Sequence, residues 1–323
     1  MFDPCAARAP FDRLEWFALI EETGTWPLVA VADGGDVKAA LVLQEKSGRL
    51  EAFTNWYSFT WRPIGKGACA PPRFIKAIAA DLRKRTHRVL LAPVPEEDGS
   101  ASLLADAFSS AGWRVEVTCC DTNHILQVGG RSFAEYWTTR PGPLRTTLAR
   151  KAKRLDIRLS DRFEQALWAQ YEQIYEHSWK PREGEPAMLR AFAQREGEAG
   201  RLRLGMAYHE GEPIAAQFWT FENGTAYIHK LAHLESHRQL SAGTCLSAAL
   251  FEQAIDRDCA ELIDFGTGDE PYKRDWMDAT RPRYQIDCVD MRSPRGWLDL
   301  GRLALSRSRM AKVPSLARRP QEG

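Results

Sequence analysis

The sequence predicts an α/β protein made of two units in tandem, and three observations carry that expectation. Segments with apolar residues at helical spacing alternate with short β-rich runs along the chain. The passage RLRLGMAYHEGEPIAAQFWTFENGTAYIHKLAH reads as three strands joined by tight turns at GEP and NGT, where Gly and Asn tolerate positive φ. The two halves also have similar element order, over 323 residues that suit one large domain or two ordinary ones.

Taken in order, FDRLEWFALIEE carries apolar residues at helical spacing, and PLVAVAD and VKAALVLQ are extended β-rich runs. PPRFIKAIAADLRKRT opens with prolines suited to the start of a helix, and HRVLLAP follows as a short buried strand. SLLADAFSSAG is a helix closed by Gly112, after which WRVEVTCC and NHILQV are strands. These form a first unit, residues 1–130. The second, residues 131–303, begins with RSFAEYWTTRPGPLRTTLARKAKRLDIRLS. DRFEQALWAQYEQIYEHSW is a long amphipathic helix, and PAMLRAFAQREGEAG is another that ends in glycine. The three hairpin-linked strands follow, then the turn RQLSAGT, a helix of about four turns through Asp258, and the strand ELIDF. Residues 304–323 are basic, polar and proline-containing, and are expected to be a loosely ordered tail.

Composition narrows the function classes. Lys plus Arg (44) nearly balance Asp plus Glu (43), so whole-chain charge argues for neither nucleic acid nor membrane as an obligatory partner. The N-terminus lacks the cationic start and apolar core of a secretory signal, and no apolar run approaches the ~20 residues that span a bilayer. Seven scattered cysteines without a C-x-x-C pair fit reduced thiols, so a cytoplasmic protein is expected. Most of the eleven tryptophans sit on apolar helix faces; Trp56 and Trp61, in NWYSFTW, lie in a turn-rich segment where core packing is favoured over a cleft-lining role.

The turn RQLSAGT precedes an alanine-rich helix, whose unpaired N–H groups and partial positive charge suit an anion. It is neither a G-x-x-x-x-G-K-[ST] loop nor a G-x-G-x-x-G fingerprint. Small residues Ser241, Ala242, Gly243 and Thr244 would let a pyrophosphate approach the backbone, with Arg238 adding charge. The plainer alternative is a β–α turn with Ser241 capping the helix.

Three antiparallel strands, a small-residue turn, a helix and a strand together resemble the acyl-CoA-binding half of the GNAT acetyltransferase family. The turn departs from that family's R/Q-x-x-G-x-G/A pattern, having Gly243 but alanine at 242 and threonine at 244. Downstream, DFGTGDEPYKRDWM, residues 264–277, is similar to the D-F-G-x-G-x-x-x-Y-K-x-x-W signature of the CelD/BcsL-like acetyltransferases, which are related to the Fem-type peptidyl aminoacyltransferases. The resemblance covers about residues 130–290, and it implies tandem GNAT-like units, each a mixed, mostly antiparallel sheet flanked by helices. It also implies acetyl-CoA or another acyl-CoA as co-substrate. The acceptor would be a small molecule of amine or hydroxyl type, saccharide or amino-acid-like.

The resemblance assigns roles that the residues alone leave open. Asp264, at the end of a buried strand, is a base for the acceptor amine or a structural acid that holds the Gly-x-Gly turn. Tyr272 is the candidate acid for the departing thiolate, against a packed tyrosine. Lys273 is a candidate for a developing oxyanion or an anionic substrate, against an exposed lysine. Leu231 and Ala232 would offer a backbone amide to the thioester carbonyl, and Trp179, His177 and Asp269 are candidates for substrate binding. His229, His233 and His237 recur every four residues, but on a strand the first two lie ~13 Å apart, too far to share one ion, so no metal is expected. The basic run Arg145, Arg150, Lys151, Lys153 and Arg154 reads most cheaply as a solvated helix face. It also keeps open a Fem-like use of aminoacyl-tRNA. A non-catalytic scaffold in polysaccharide assembly is the remaining alternative.

Overall fold

The computed structural model describes residues 8–65 and 70–298. The expected basic tail, 304–323, and Cys5 and Cys69 lie outside the described residues. Twelve strands form one sheet: β1 (Leu28–Asp33), β2 (Lys38–Lys46), β3 (Arg49–Ala52), β4 (Ile64–Gly65), β5 (Arg88–Val94), β6 (Arg114–Gln127), β7 (Asp156–Ser160), β8 (Leu202–His209), β9 (Glu212–Glu222), β10 (Thr225–His233), β11 (Leu262–Thr267) and β12 (Ala279–Val289). Their order is β1-β2-β3-β5-β12-β6-β11-β10-β9-β8-β7, with β4 beside β2. All pairings are antiparallel except β3 with β5 and β10 with β11, so the expected mixed, mostly antiparallel sheet flanked by helices is what the chain forms.

The helices are α1 (Leu14–Glu21), α2 (Pro72–Leu82), α3 (Ser100–Ser110), α4 (Phe133–Thr138), α5 (Gly142–Lys151), α6 (Gln165–Glu176), α7 (Pro186–Glu198) and α8 (Ala242–Glu252). Prolines open α2, α5 and α7, where the missing N–H costs nothing because no intrahelical acceptor is available there. The two hairpins expected in the second half form with two-residue turns at Glu210–Gly211 and Asn223–Gly224, and all four residues have positive φ. Backbone twist of that kind matches the flanking strands.

One apolar core runs across both halves. Trp16 of α1 meets Phe192 of α7 edge-on at 4.9 Å, so a helix from the first half packs on a helix from the second. A second cluster lies around α8, where Phe251 stacks on Tyr136 and packs at 4.8 Å on Trp276.

Two strand readings change. WRVEVTCC and NHILQV are one continuous strand, β6, of 14 residues, because Asp121, Thr122 and Asn123 continue its pairing with β12 instead of turning. β3 is only four residues long, two of them charged, too short for its alternation to stand out in sequence. The sheet also runs through the position expected to separate the units. β6 precedes residue 130 yet pairs with β11, while β12, from beyond it, lies between β5 and β6.

Gly205 on β8 lets α8 lie close. A Cβ there would stand 2.9 Å from the Cδ1 atoms of both Leu246 and Leu250. G205A is expected to cost about 1–3 kcal/mol by overpacking, and L246A about 2–5 kcal/mol by leaving a cavity. The double variant should lose less than the sum, since truncating Leu246 relieves one of the two clashes. Urea denaturation of the three variants measures the coupling.

Candidate active site

The site begins where two parallel strands part. β10 pairs with β11 at Thr225, Ala226 and Tyr227 only, and the two then diverge. One residue later the register of β10 against β9 slips, with His229 as the extra residue between Ile228 and Lys230. A bulge bends its strand and strengthens the local twist, so it turns β10 away at the point where pairing ends. Ile228, His229, Lys230 and Leu231 on one side, and Phe265, Gly266, Thr267 and Gly268 on the other, line the cavity that results.

That cavity, about 1010 Å³, is shared by the two halves of the chain. The first half contributes Asn55 to Phe59, Pro93, Cys120 and Asp121, and the second adds Tyr175 and the segment from Trp179 to Glu185. The Tyr57 hydroxyl donates to Glu183 Oε1 (2.6 Å) and accepts from the Glu185 amide (2.8 Å), which ties the halves together. Lys230 Nζ lies 3.0 Å from Glu183 and 4.6 Å from the centre of the Tyr57 ring. Burial lowers the Lys230 pKa against the pull of Glu183. Burial, with the Glu183 hydrogen bond, pushes the Tyr57 phenol well above its ordinary value.

Behind the gap is a buried charged network. Asp264 Oδ1 accepts from Asn123 Nδ2 (2.6 Å) and the Gly266 amide (2.8 Å), while Oδ2 accepts from Arg281 (2.8 Å). Arg281 and Arg283 both donate to Asn123 Oδ1, and both pair with Glu97 at 2.9 Å. Three strands, β6, β11 and β12, and the segment after β5 are thereby clamped at the end of β11. Gly266 has φ +67° and a Cβ there would meet the Phe59 ring at 2.8 Å, so both backbone and space require glycine.

Next to the end of β10, at His233, is the start of α8. Ser241 is its N-cap residue in the left-handed region, φ 50° and ψ 39°, and its side chain makes no capping bond. The hydroxyl instead accepts from Lys151 Nζ at 2.9 Å. The expected capping role for Ser241 is thus replaced by a contact with the basic run, whose helix α5 packs against α8. Gly243 borders β10, where a Cβ on it would come into van der Waals contact with His233 Nδ1 at 3.4 Å. The His233 ring lies 4.2 Å from that of Trp179.

The remaining sequence candidates divide. Tyr272 is 41% exposed, lines the cavity and meets Phe265 edge-on at 5.7 Å; burial, with Glu270 beside it, raises its pKa well above the ordinary value. Lys273 also reaches the cavity but is not the exposed lysine of the plainer reading. It is buried, and its ammonium is engaged by the carbonyls of Thr267 and Gly268 and by Glu270. Leu231 lines the cavity, whereas the Ala232 side chain is in the core. Arg238 is exposed on the turn before α8, Ala242 is buried at the first position of the helix, and Thr244 is half-buried.

His177 and Asp269 are not among the residues that line the cavity. His177 ends α6 with Nδ1 2.8 Å from the Gln173 carbonyl, and Asp269 lies 2.9 Å from His124 and 2.7 Å from Arg274. Trp56 is 89% exposed at the cavity, against the expectation of core packing, while Trp61 is buried with Nε1 donating to the Val42 carbonyl. Tyr57, Lys180, Glu183 and Lys230 were not identifiable from sequence as site residues. Tyr57 and Lys180 do adjoin the tryptophans singled out there, but nothing in the sequence signals that residues 57 and 183 meet.

Residues 137–274 match the family described as Acetyltransferase (GNAT) domain. The matched segment runs from the end of α4 through β11 and takes in α8 and the parted strands, and the match supports acyltransferase activity. Three solved structures share the fold. The chain is similar to FemX (TM-score 0.61, 10% identity, covering 86% of this chain and 92% of that one). It is also similar to the C-terminal domain (DUF2156) of a lysylphosphatidylglycerol synthetase from Agrobacterium fabrum (0.57, 13%, 90% and 91%). The third is L-PGS from Bacillus licheniformis (0.55, 14%, 92% and 96%). No curated protein matches the sequence. Among the described residues, no helix is long and apolar enough to cross a membrane.

His229 supplies a test of the cavity wall. It is packed by Phe218, Phe192 and Phe59 at 5.0–5.4 Å, its Nε2 lies 2.8 Å from Thr220 Oγ1, and burial, with Arg13 and Lys230 nearby, lowers its pKa to about 3. An unfolded histidine takes a proton below about pH 6.5 while the folded one stays neutral. Its contribution to stability is therefore complete above pH 6.5 and is lost as pH falls toward 3, by at most about 1.4 kcal/mol per pH unit. H229Q retains a partner for Thr220 and should flatten the fall in urea midpoint between about pH 6 and pH 4.

Proposed function

We propose that the protein is an acyltransferase that moves an acyl group from acyl-CoA to an amine or hydroxyl acceptor in a ternary complex. The observation that carries this reading is the parting of β10 and β11 after Tyr227 beside a cavity walled by both halves, with the start of α8 next to the far end of β10 at His233. Pairing with β11 stops there, so the edge of β10 beyond Tyr227 can receive an extended pantetheine arm. A backbone amide near Leu231 and Ala232 would then polarise the thioester carbonyl. The pyrophosphate would rest on the amides of Ala242, Gly243 and Thr244, with Lys151 and Arg238 supplying charge.

The acceptor would approach from the side of Tyr57, Trp179 and Lys180. Its nitrogen or oxygen attacks the carbonyl carbon, the C–S bond breaks with its electron pair on sulfur, and Tyr272 gives a proton to that sulfur and is restored by the proton that the acceptor loses. Asp264 is read as a positioning residue. Both its oxygens are held, so its contribution is the placement of the Gly266 turn across from β10. Lys273 secures the next two residues of that turn. Holding two reactants in line can supply about 7–11 kcal/mol of the barrier, so Y272F should slow turnover without abolishing it. The DFGTGDEPYKRDWM signature places the protein, on this reading, near the CelD/BcsL-like acetyltransferases.

The competing reading takes the acyl group from aminoacyl-tRNA, and the observation in its favour is the α5 basic run beside the start of α8. The two readings separate in one experiment. A ligand that binds only the folded state raises its melting temperature, so CoA and acetyl-CoA should each stabilise the protein. K151A, which removes a charge-assisted contact worth about 1.5–3 kcal/mol, should weaken CoA binding by roughly tenfold or more. No stabilisation by any acyl-CoA, together with salt-dependent binding of aminoacyl-tRNA, would overturn the acyl-CoA assignment.

A further inference from the structure

Three lysines face the cavity, and two of them are neutralised. Lys230 pairs with Glu183 at 3.0 Å and Lys273 with Glu270 at 2.8 Å. Lys180, half-buried between these pairs, has no carboxylate within ion-pair distance among the described residues. Its ammonium instead lies 5.7 Å from the centre of the Trp179 ring. That ring rests on His233 of β10, and His233 borders Gly243 at the start of α8. Lys180 is thus fixed near the mouth of the gap that the proposed acyl-CoA would occupy, on the side where an acceptor would enter. A cation desolvated without a partner is costly, so something other than a resting ion pair must account for a lysine there.

We propose that Lys180 is an acyl-acceptor site, and that its amine takes the acyl group from bound acyl-CoA when no other acceptor fills the cavity. This rests on the acyl-CoA reading given above. The neutral nitrogen attacks the thioester carbonyl carbon, a C–N bond forms, and the C–S bond breaks with its electron pair leaving on sulfur. The proton lost from nitrogen ends on that sulfur, giving Nε-acyl-lysine and free CoA thiol. No further reactant is needed. The groups that face Lys180 set its readiness. Burial, then Lys230 and Lys273, lower its pKa to about 8, against the opposing pull of Glu270 and Glu183; His233 lies close by as well. At pH 7 roughly a tenth of the side chain is then the nucleophilic free amine, on the order of two hundred times the fraction in an ordinary lysine. Acylation would remove the Lys180 charge and put a neutral acyl amide where the acceptor enters, which would silence the site.

The test uses the full chain and acetyl-CoA alone, with peptide mass spectrometry at each lysine over time. Lys180 should gain one acetyl group at least tenfold faster than exposed Lys46 and Lys84. Excess CoA should suppress that selectivity, and urea-unfolded protein should lack it. K180R should keep the melting temperature and its rise with CoA while losing the fast site. Stabilisation by CoA with Lys180 modified no faster than Lys46 would overturn the inference and leave the acyl-CoA reading standing. Absence of stabilisation by CoA would strike the underlying reading instead.

Discussion

The geometry of the site depends on a parallel pair that is allowed only three residues. Parallel strands gain by staying in register, and β10 and β11 forfeit that gain after Tyr227. The bulge at His229 bends one strand away, while the Asp264 network fixes the end of the other. Without the bulge the strands would close on each other. Without the network, the Gly266–Gly268 turn would have no fixed place opposite β10. A buried carboxylate serves this purpose because losing one partner of such a cluster costs about 3–5 kcal/mol, so the arrangement does not fluctuate between alternatives.

The contributions of the two halves differ in kind. The second half, which contains the segment that matches the GNAT model, holds the parted strands and the start of α8. The first half supplies a wall, Asn55 to Phe59, and reaches across through the Tyr57–Glu183 bond. Charge in the cavity is mostly cancelled in place by Lys230–Glu183 and Lys273–Glu270. Lys180 and Arg182, which also line the cavity, are in no ion pair among the described residues, in a chain whose whole-molecule charge is close to zero.

Local features were the legible ones. The Glu210–Gly211 and Asn223–Gly224 turns announce themselves because few residues tolerate positive φ, and the helices are bounded by prolines and glycines that act over one or two positions. Asp264 and Tyr272 stood out through a contiguous motif. What escaped is what only the fold creates. Lys151 and Ser241 are 90 positions apart, and Tyr57 and Glu183 are 126 apart, yet each pair shares a hydrogen bond. β6 looked like two strands because Asp121 and Asn123 interrupt its apolar pattern, and those polar residues are there to serve the buried network and the Gly268 amide.

The place of β12 has a consequence for how the molecule comes into being. It fills a slot between β5 and β6, both of which are complete by residue 127, and it is the last strand of the sheet in chain order among the described residues. Until Val289 has left the ribosome, β5 and the long β6 each present an unpaired edge, the kind of surface that attracts other chains. The sheet of the N-terminal half is therefore not complete until β12, from beyond the second half's other strands, has been made. Vectorial synthesis, which lets many two-unit proteins fold one piece at a time, here gives way to a closing step that waits for β12.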